Sequence, residues 1–394
     1  MSTAYYIFPD QIYSGFGIAQ RAGNEAKTEG AQHVFVIADP GVVSVGLADR
    51  VLKSITDAGL AHTLYTHVVP NPDCDSVDAA AGAYRASGAD CIVGIGGGSG
   101  LDTAKAVRLV VAGPADGKVA DYAYRMGDKA RPHPKHLPFY IAIPTTAGTG
   151  AEVTPWAVIT DPQDKFKFGV GGVRSVPSMA LIDPELMLAL PPFLTAATGM
   201  DALTHCIEAY VSTNDNPALD AMILHGIGLV GKYLPLVVAK GSNLEAREAM
   251  ATAAMIGGIA ISSKWLGACH SLAHQLSGFA NVQHGLANAI MLPHVMRFNL
   301  PGAMEKYARI ADALDGAMGG PVRGSVRERA ERSITLIEQL NADVGLPARL
   351  RDVGVTEDMI PPMAKFAYTV DLNWWTNPRN VNEDVMARLY REAY

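Results

Sequence analysis

Two periodicities divide the chain. In its first half, short apolar and β-branched runs end in Gly, Pro, Asp or Thr: VFVIAD at 34–39, CIVGIGGGSG at 91–100, YIAIPTTAGTG at 140–150 and MALID at 179–183. Between them, 44–59, 76–87 and 101–112 space their apolar residues along one helical face. Buried strands alternating with amphipathic helices predict βαβ units and a mostly parallel sheet. Beyond about residue 185 strand-like alternation nearly disappears, and 196–213, 217–240, 245–263, 285–298, 301–315, 325–344 and 384–394 read as helices. The breaks LIDPEL and LPPF between Asp183 and Pro192 separate the halves. The expected fold is an α/β domain over 1–185 followed by an all-helical domain over 186–394.

Composition narrows the function classes. Hydrophobic residues make up 49% and charged residues 18%, which suits a packed core and excludes disorder as the main theme. Lys and Arg number 32 against 39 Asp and Glu, a net charge of −7, and no basic run occurs, so neither nucleic acid nor an anionic membrane is an expected partner. Cys74, Cys91, Cys206 and Cys269 lack CxxC spacing and read as reduced cytoplasmic thiols. The start of the chain lacks a signal-peptide pattern, and the apolar stretch 221–240 is interrupted by His225, Lys232 and Pro235, so no membrane span is expected.

The strand IVGIGGG runs into the helix GLDTAKAV. In the run Gly96, Gly97, Gly98 and Ser99 the three glycines let backbone approach a ligand closely, and the helix N-terminus offers N–H groups and positive dipole to a phosphate. The contiguous glycines match neither GxGxxG nor GK[ST], so a tight strand-to-helix turn is the competing reading. Thr145, Thr146 and Thr149, after a second strand, could converge on the same phosphate or ribose. Asp39 ends VFVIAD, where a carboxylate accepts the ribose hydroxyls of NAD and repels the 2′-phosphate of NADP. Alternatively it is a turn residue before Pro40.

In the helical half, GMDALTHC places Asp201 and His205 on one helix face, and CHSLAHQL does the same with His270 and His274; HGLANA adds His284. One carboxylate with several imidazoles and no thiolate suits Fe(II), Zn(II), Ni(II), Co(II) or Mn(II). An HExxH protease is excluded because Ser271 occupies the position of the glutamate.

The stretches GGGSGLDTAK, PTTAGTGAEVT, GMDALTHCIEAYVS, CHSLAHQL through HGLANAIMLPHVM, and NPR at 377–379 resemble, in order and over nearly the whole chain, the iron-containing (group III) alcohol dehydrogenase family. The resemblance implies that family's dehydroquinate synthase-like fold, with a catalytic cleft between the two domains. It carries metal ligands onto Asp201, His205, His270 and His284, and a non-ligand histidine near the nicotinamide onto His274. Cofactor contacts carry over onto Asp39, Asn71, Gly97, Gly98, Ser99, Thr145, Thr146, Thr149, Lys167 and Leu186, with Asp102 and Lys105 in the glycine-loop motif. The implied activity is NAD-dependent oxidation of an alcohol, or the reverse, with Fe2+ as the expected ion and Zn2+ as an alternative; a homodimer or larger homo-oligomer is expected. Trp156, Trp374 and Trp375 are candidates either for the substrate pocket or for packing. Rival readings are a maleylacetate reductase, a lyase of the same fold, and a nucleotide-binding sensor without catalysis.

Overall fold

The computed structural model describes residues 4–124, 131–162, 166–320 and 323–394. Its strands are β1 (Gln11–Ser14), β2 (His33–Ala38), β3 (Ala61–Tyr65), β4 (Cys91–Gly96), β5 (Ala123–Tyr124), β6 (Phe139–Pro144), β7 (Trp156–Asp161), β8 (Phe166–Gly171) and β9 (Met179–Ile182). Among them run α1 (Ala22–Thr28), α2 (Pro40–Ser44), α3 (Leu47–Asp57), α4 (Cys74–Ser87) and α5 (Gly98–Ala112). Helices α6 (Pro192–Val211), α7 (Pro217–Ala239), α8 (Leu244–Lys264), α9 (Ala268–Ala280), α10 (His284–Asn299), α11 (Met304–Ala317), α12 (Val326–Asp343), α13 (Ile360–Thr369) and α14 (Glu383–Ala393) follow. The described residues form two compact units: Ile7–Thr146 with Gly150–Ala189, and Leu190–Tyr394 with Ala147–Thr149 and residues 4–6.

In the α/β unit six parallel strands lie in the order β1-β9-β6-β4-β2-β3. The uninterrupted apolar runs follow from burial on both faces. Phe35 and Ile37 of β2 enter one core layer with Ile92 and Tyr140, while Val34, Val36 and Ala38 enter the opposite layer with Val93 and Ile141. From β2 the chain steps outward to β3 and then crosses back to β4, so strand order reverses between β2 and β4. The crevice outside the carboxyl ends at such a switch point is where open α/β sheets bind nucleotides. A separate antiparallel sheet, β5-β8-β7, was not evident in the sequence pattern.

The helical unit is built around α6, buried from Thr195 through Val211. A helix apolar all round belongs in a core, and its few polar residues there must find partners. Helix α7 is long and apolar enough to cross a membrane by length and composition, but it packs against α6, α8 and α11 within this unit. Helix α9 carries the CHSLAHQL segment already read as helical, and α13 is a helix beyond the sequence reading.

Candidate functional site

At the switch point, Asp39 follows β2 and Gly97 precedes α5. One Asp39 oxygen, Oδ1, accepts the Val42 N–H at 2.9 Å and so caps α2. The other faces the glycine loop, and a Cβ on Gly96 would stand 2.8 Å from it, so a side chain there would displace the carboxylate. The Thr145 N–H bonds the Gly96 carbonyl at 2.9 Å, and a Cβ on Gly97 would meet the Thr146 methyl at 3.2 Å. Gly98 and Ser99 open α5, whose N-cap Gly97 supplies no capping side chain, leaving first-turn N–H groups for an anion.

Asn71 sits beside this loop with φ 53°. Its N–H bonds Ser99 Oγ at 3.3 Å and its side-chain oxygen accepts Lys167 Nζ at 2.8 Å. Burial pulls the Lys167 ammonium down to about 8, against the opposing pull of Asp102. Thus Asp39, Asn71, Gly97, Gly98, Ser99, Thr145, Thr146 and Lys167 come together in the α/β unit, while Thr149 belongs to the helical unit. Asp102 is committed internally: Oδ2 accepts Val158 N–H at 3.0 Å and Oδ1 pairs with Lys105 Nζ at 3.0 Å. Lys105 also reaches Thr154 Oγ1 at 3.0 Å and the Trp156 carbonyl, bracing β7. Leu186 is buried in the core.

The second cluster lies wholly in the helical unit. Asp201 and His205 project from α6, His270 and His274 from α9, and His284 from the first turn of α10. The nearest nitrogens of His205, His270 and His284, all Nε2, stand 3.8, 3.7 and 3.5 Å from Asp201 Oδ1. These separations exceed hydrogen bonds. They are slightly wider than the roughly 3–3.5 Å between donors each ~2.1 Å from one ion. Candidate ligand atoms of Asp201, His270 and His284 lie within 4.8 Å of one another, and His205 adjoins them with its ring stacked on that of His270.

Burial alone would raise the Asp201 carboxyl, but the imidazoles of His205, His284 and His270 carry it well below the ordinary range. Burial pushes His205 down to about 4 despite Asp201. His270 goes the other way, to about 9, because Glu208 and Asp201 outweigh its burial. A buried carboxylate among three imidazoles is a donor set that fits a divalent borderline metal.

Three further residues complete the cluster. Glu208, on the Asp201 face of α6, contacts His270 Nδ1 at 2.5 Å. Asn288 Nδ2, one turn after His284, donates to Asp201 Oδ1 at 2.8 Å and lies 3.1 and 3.3 Å from Nε2 of His270 and His284. Asp371 Oδ2 contacts His274 Nδ1 at 2.6 Å, and Oδ1 accepts from Ser271 Oγ and from Asn373. Glu208 and Asn288 had a sequence signal, polar groups at i+7 from Asp201 and i+4 from His284. Asp371, 97 residues beyond His274, had none.

Of the tryptophans, Trp156 lies on β7 edge-on to Tyr124. Trp374 stacks on Tyr368 at 5.0 Å, and Trp375 beside it is 65% exposed.

Comparison with known proteins adds three findings. A family model described as iron-containing alcohol dehydrogenase matches residues 9–184, and one described as its C-terminal part matches 195–394. The 1,3-propanediol dehydrogenase of Klebsiella pneumoniae is 38% identical over 99% of this chain and 98% of its own, and the NAD-dependent methanol dehydrogenase of Bacillus methanolicus 38% over 99% and 100%. A crystal structure of 1,3-propanediol oxidoreductase superposes with a TM-score of 0.94 at 38% identity, covering 100% of both chains.

Proposed function

Because the chain belongs to the iron-containing alcohol dehydrogenase family, we propose that its α/β unit holds NAD and its helical unit a single divalent ion, Fe2+ in the cell. The protein is an enzyme, an NAD-linked alcohol dehydrogenase or aldehyde reductase acting on CH–OH groups. The observation that carries the site assignment is the array of imidazole Nε2 atoms around Asp201 Oδ1, too distant to be hydrogen-bonded to it. In this reading Asp201, His205, His270 and His284 hold the ion. When bound, the ion supplies Lewis acidity to an alcohol oxygen, and NAD accepts the hydride.

The chain's own residues supply position and proton handling. The glycine loop with Asn71, Ser99, Thr145, Thr146, Thr149 and Lys167 binds the cofactor, buttressed by Asp102 and Leu186, and Asp39 selects NAD over NADP. His274, with Nδ1 tied to Asp371, presents Nε2 to take the hydroxyl proton. The names of the relatives support a short alcohol or diol as substrate. A cytoplasmic homo-oligomer completes the proposal.

The test is anaerobic NADH oxidation with a panel of short and aromatic aldehydes, after stripping metal and refilling with Fe(II) or Zn(II). Activity lost on stripping and restored by one ion is the expected result. Activity indifferent to metal would overturn the ligand assignment and favour a maleylacetate reductase-like enzyme.

A further inference from the structure

Helix α9 carries two of the histidines and begins without a cap of its own: Gly267, at its N-cap, has no side chain to bond the first turn. The first two N–H groups are met from elsewhere in the chain. Asn377 Oδ1 accepts from Ala268 N–H at 3.3 Å, and Glu208 Oε1 from Cys269 N–H at 2.7 Å. The other Glu208 oxygen, Oε2, lies 2.5 Å from His270 Nδ1. Glu208 is buried, with 4% of the residue exposed, and a Cβ on Gly267 would come within 2.7 Å of Oε1. Gly267 therefore leaves the space that Glu208 fills.

We infer that Glu208 is a positioning residue for the metal site: it accepts a hydrogen bond from the Nδ1–H of His270, so that Nε2 faces Asp201 as a lone pair, and pins the α9 backbone in the same grip. The inference rests on the metal assignment proposed above. Its chemistry is general, because a ligand imidazole needs its second nitrogen protonated and held. The geometry is specific, because each carboxylate oxygen serves a different donor. A glutamine has one acceptor oxygen for these two donors. Whichever way it turns, either the Cys269 N–H faces an amide NH2, or His270 Nδ1 does and its proton moves to Nε2, where it blocks coordination.

The experiment measures Zn(II) affinity of the stripped full-length protein by competition with a chromophoric chelator, and the visible spectrum of the Co(II) form. Wild type, Glu208→Gln, Glu208→Asp and Asn377→Ala are compared. Asn377→Ala removes the neighbouring cap of α9 without touching His270. Both Glu208 variants are expected to bind Zn(II) about 10- to 100-fold more weakly with an altered Co(II) spectrum. Asn377→Ala should lower the melting temperature while its Zn(II) affinity moves less than about threefold. Should Glu208→Gln fail to fold, Glu208→Asp, which keeps the charge on a shorter stem, carries the test. Zn(II) affinity within about threefold of wild type in a folded Glu208 variant overturns the inference, as does equal weakening by Asn377→Ala. A wild-type protein that binds no Zn(II) or Co(II) overturns the metal assignment as well, so the two failures are distinguishable.

Discussion

A single carboxylate decides the state of His274. Asp371 Oδ1 receives Ser271 Oγ at 2.8 Å and the backbone and side-chain N–H groups of Asn373, both at 2.9 Å, while Oδ2 faces His274 Nδ1. In Asp371→Asn the oxygen stays with the three donors and the NH2 turns to His274. The imidazole must then carry its proton on Nε2, where it cannot accept one from a substrate. A kcat lower by about 10²–10⁴ is expected, the range for loss of general acid–base help, with the melting temperature changed little because three of the four hydrogen bonds are unchanged and the fourth only reverses direction. A folded variant with kcat within threefold of wild type would leave His274 as packing. The tautomer depends on a residue distant in sequence, which is why His274 could be placed by its spacing from His270 but its partner could not.

At the scale of elements, the central strands and most helices were legible because their signals are local. Phe35 and Ile37 alternate with Val34 and Val36 between two core layers, and Asp73 and Ser325 cap α4 and α12 from the adjoining residue. The start of α9 was not legible, because its caps arrive from Glu208 and Asn377 and because Trp265, just before it, takes φ 65°. The contact between α6 and α10 was equally hidden. A Cβ on Gly285 would lie 2.2 Å from the Ala197 carbonyl and 3.3 Å from Asp201 Cβ. Gly285→Ala must push the first turn of α10 off α6 and carry His284 with it. We expect a cost of about 1–3 kcal/mol, measured by denaturant unfolding, together with weakened Zn(II) binding; unchanged affinity would show that His284 is not held by this contact. Asp39 joins residue to element in the same way. Asp39→Asn keeps the Oδ1 cap on α2 while removing charge, so NADP use relative to NAD should rise about 10-fold or more in kcat/KM without loss of stability, and an unchanged ratio would reduce Asp39 to a cap.

On the scale of the whole molecule, the proposed cofactor contacts other than Thr149 lie in the α/β unit and the four candidate ligands lie in the helical one. The sequence signalled each set by separate motifs, and, Thr149 apart, each set falls within one unit. Nucleotide binding and metal binding should therefore be separable. Stripping the metal is expected to abolish turnover while NADH affinity, followed by cofactor fluorescence, changes by less than about threefold. One titration adds direction to this test. Lys167 is lowered from 10.5 to about 8 chiefly by burial, so it is charged below pH 8 and neutral above. If its charge meets the cofactor phosphates, NADH should bind tightest below pH 8 and weaken by up to about tenfold per pH unit above it, in stripped and loaded protein alike. Lys167→Met should flatten that dependence at the weaker level. A profile that persists in Lys167→Met assigns the titration to another group, and one that vanishes only when metal is removed ties nucleotide binding to the helical unit after all.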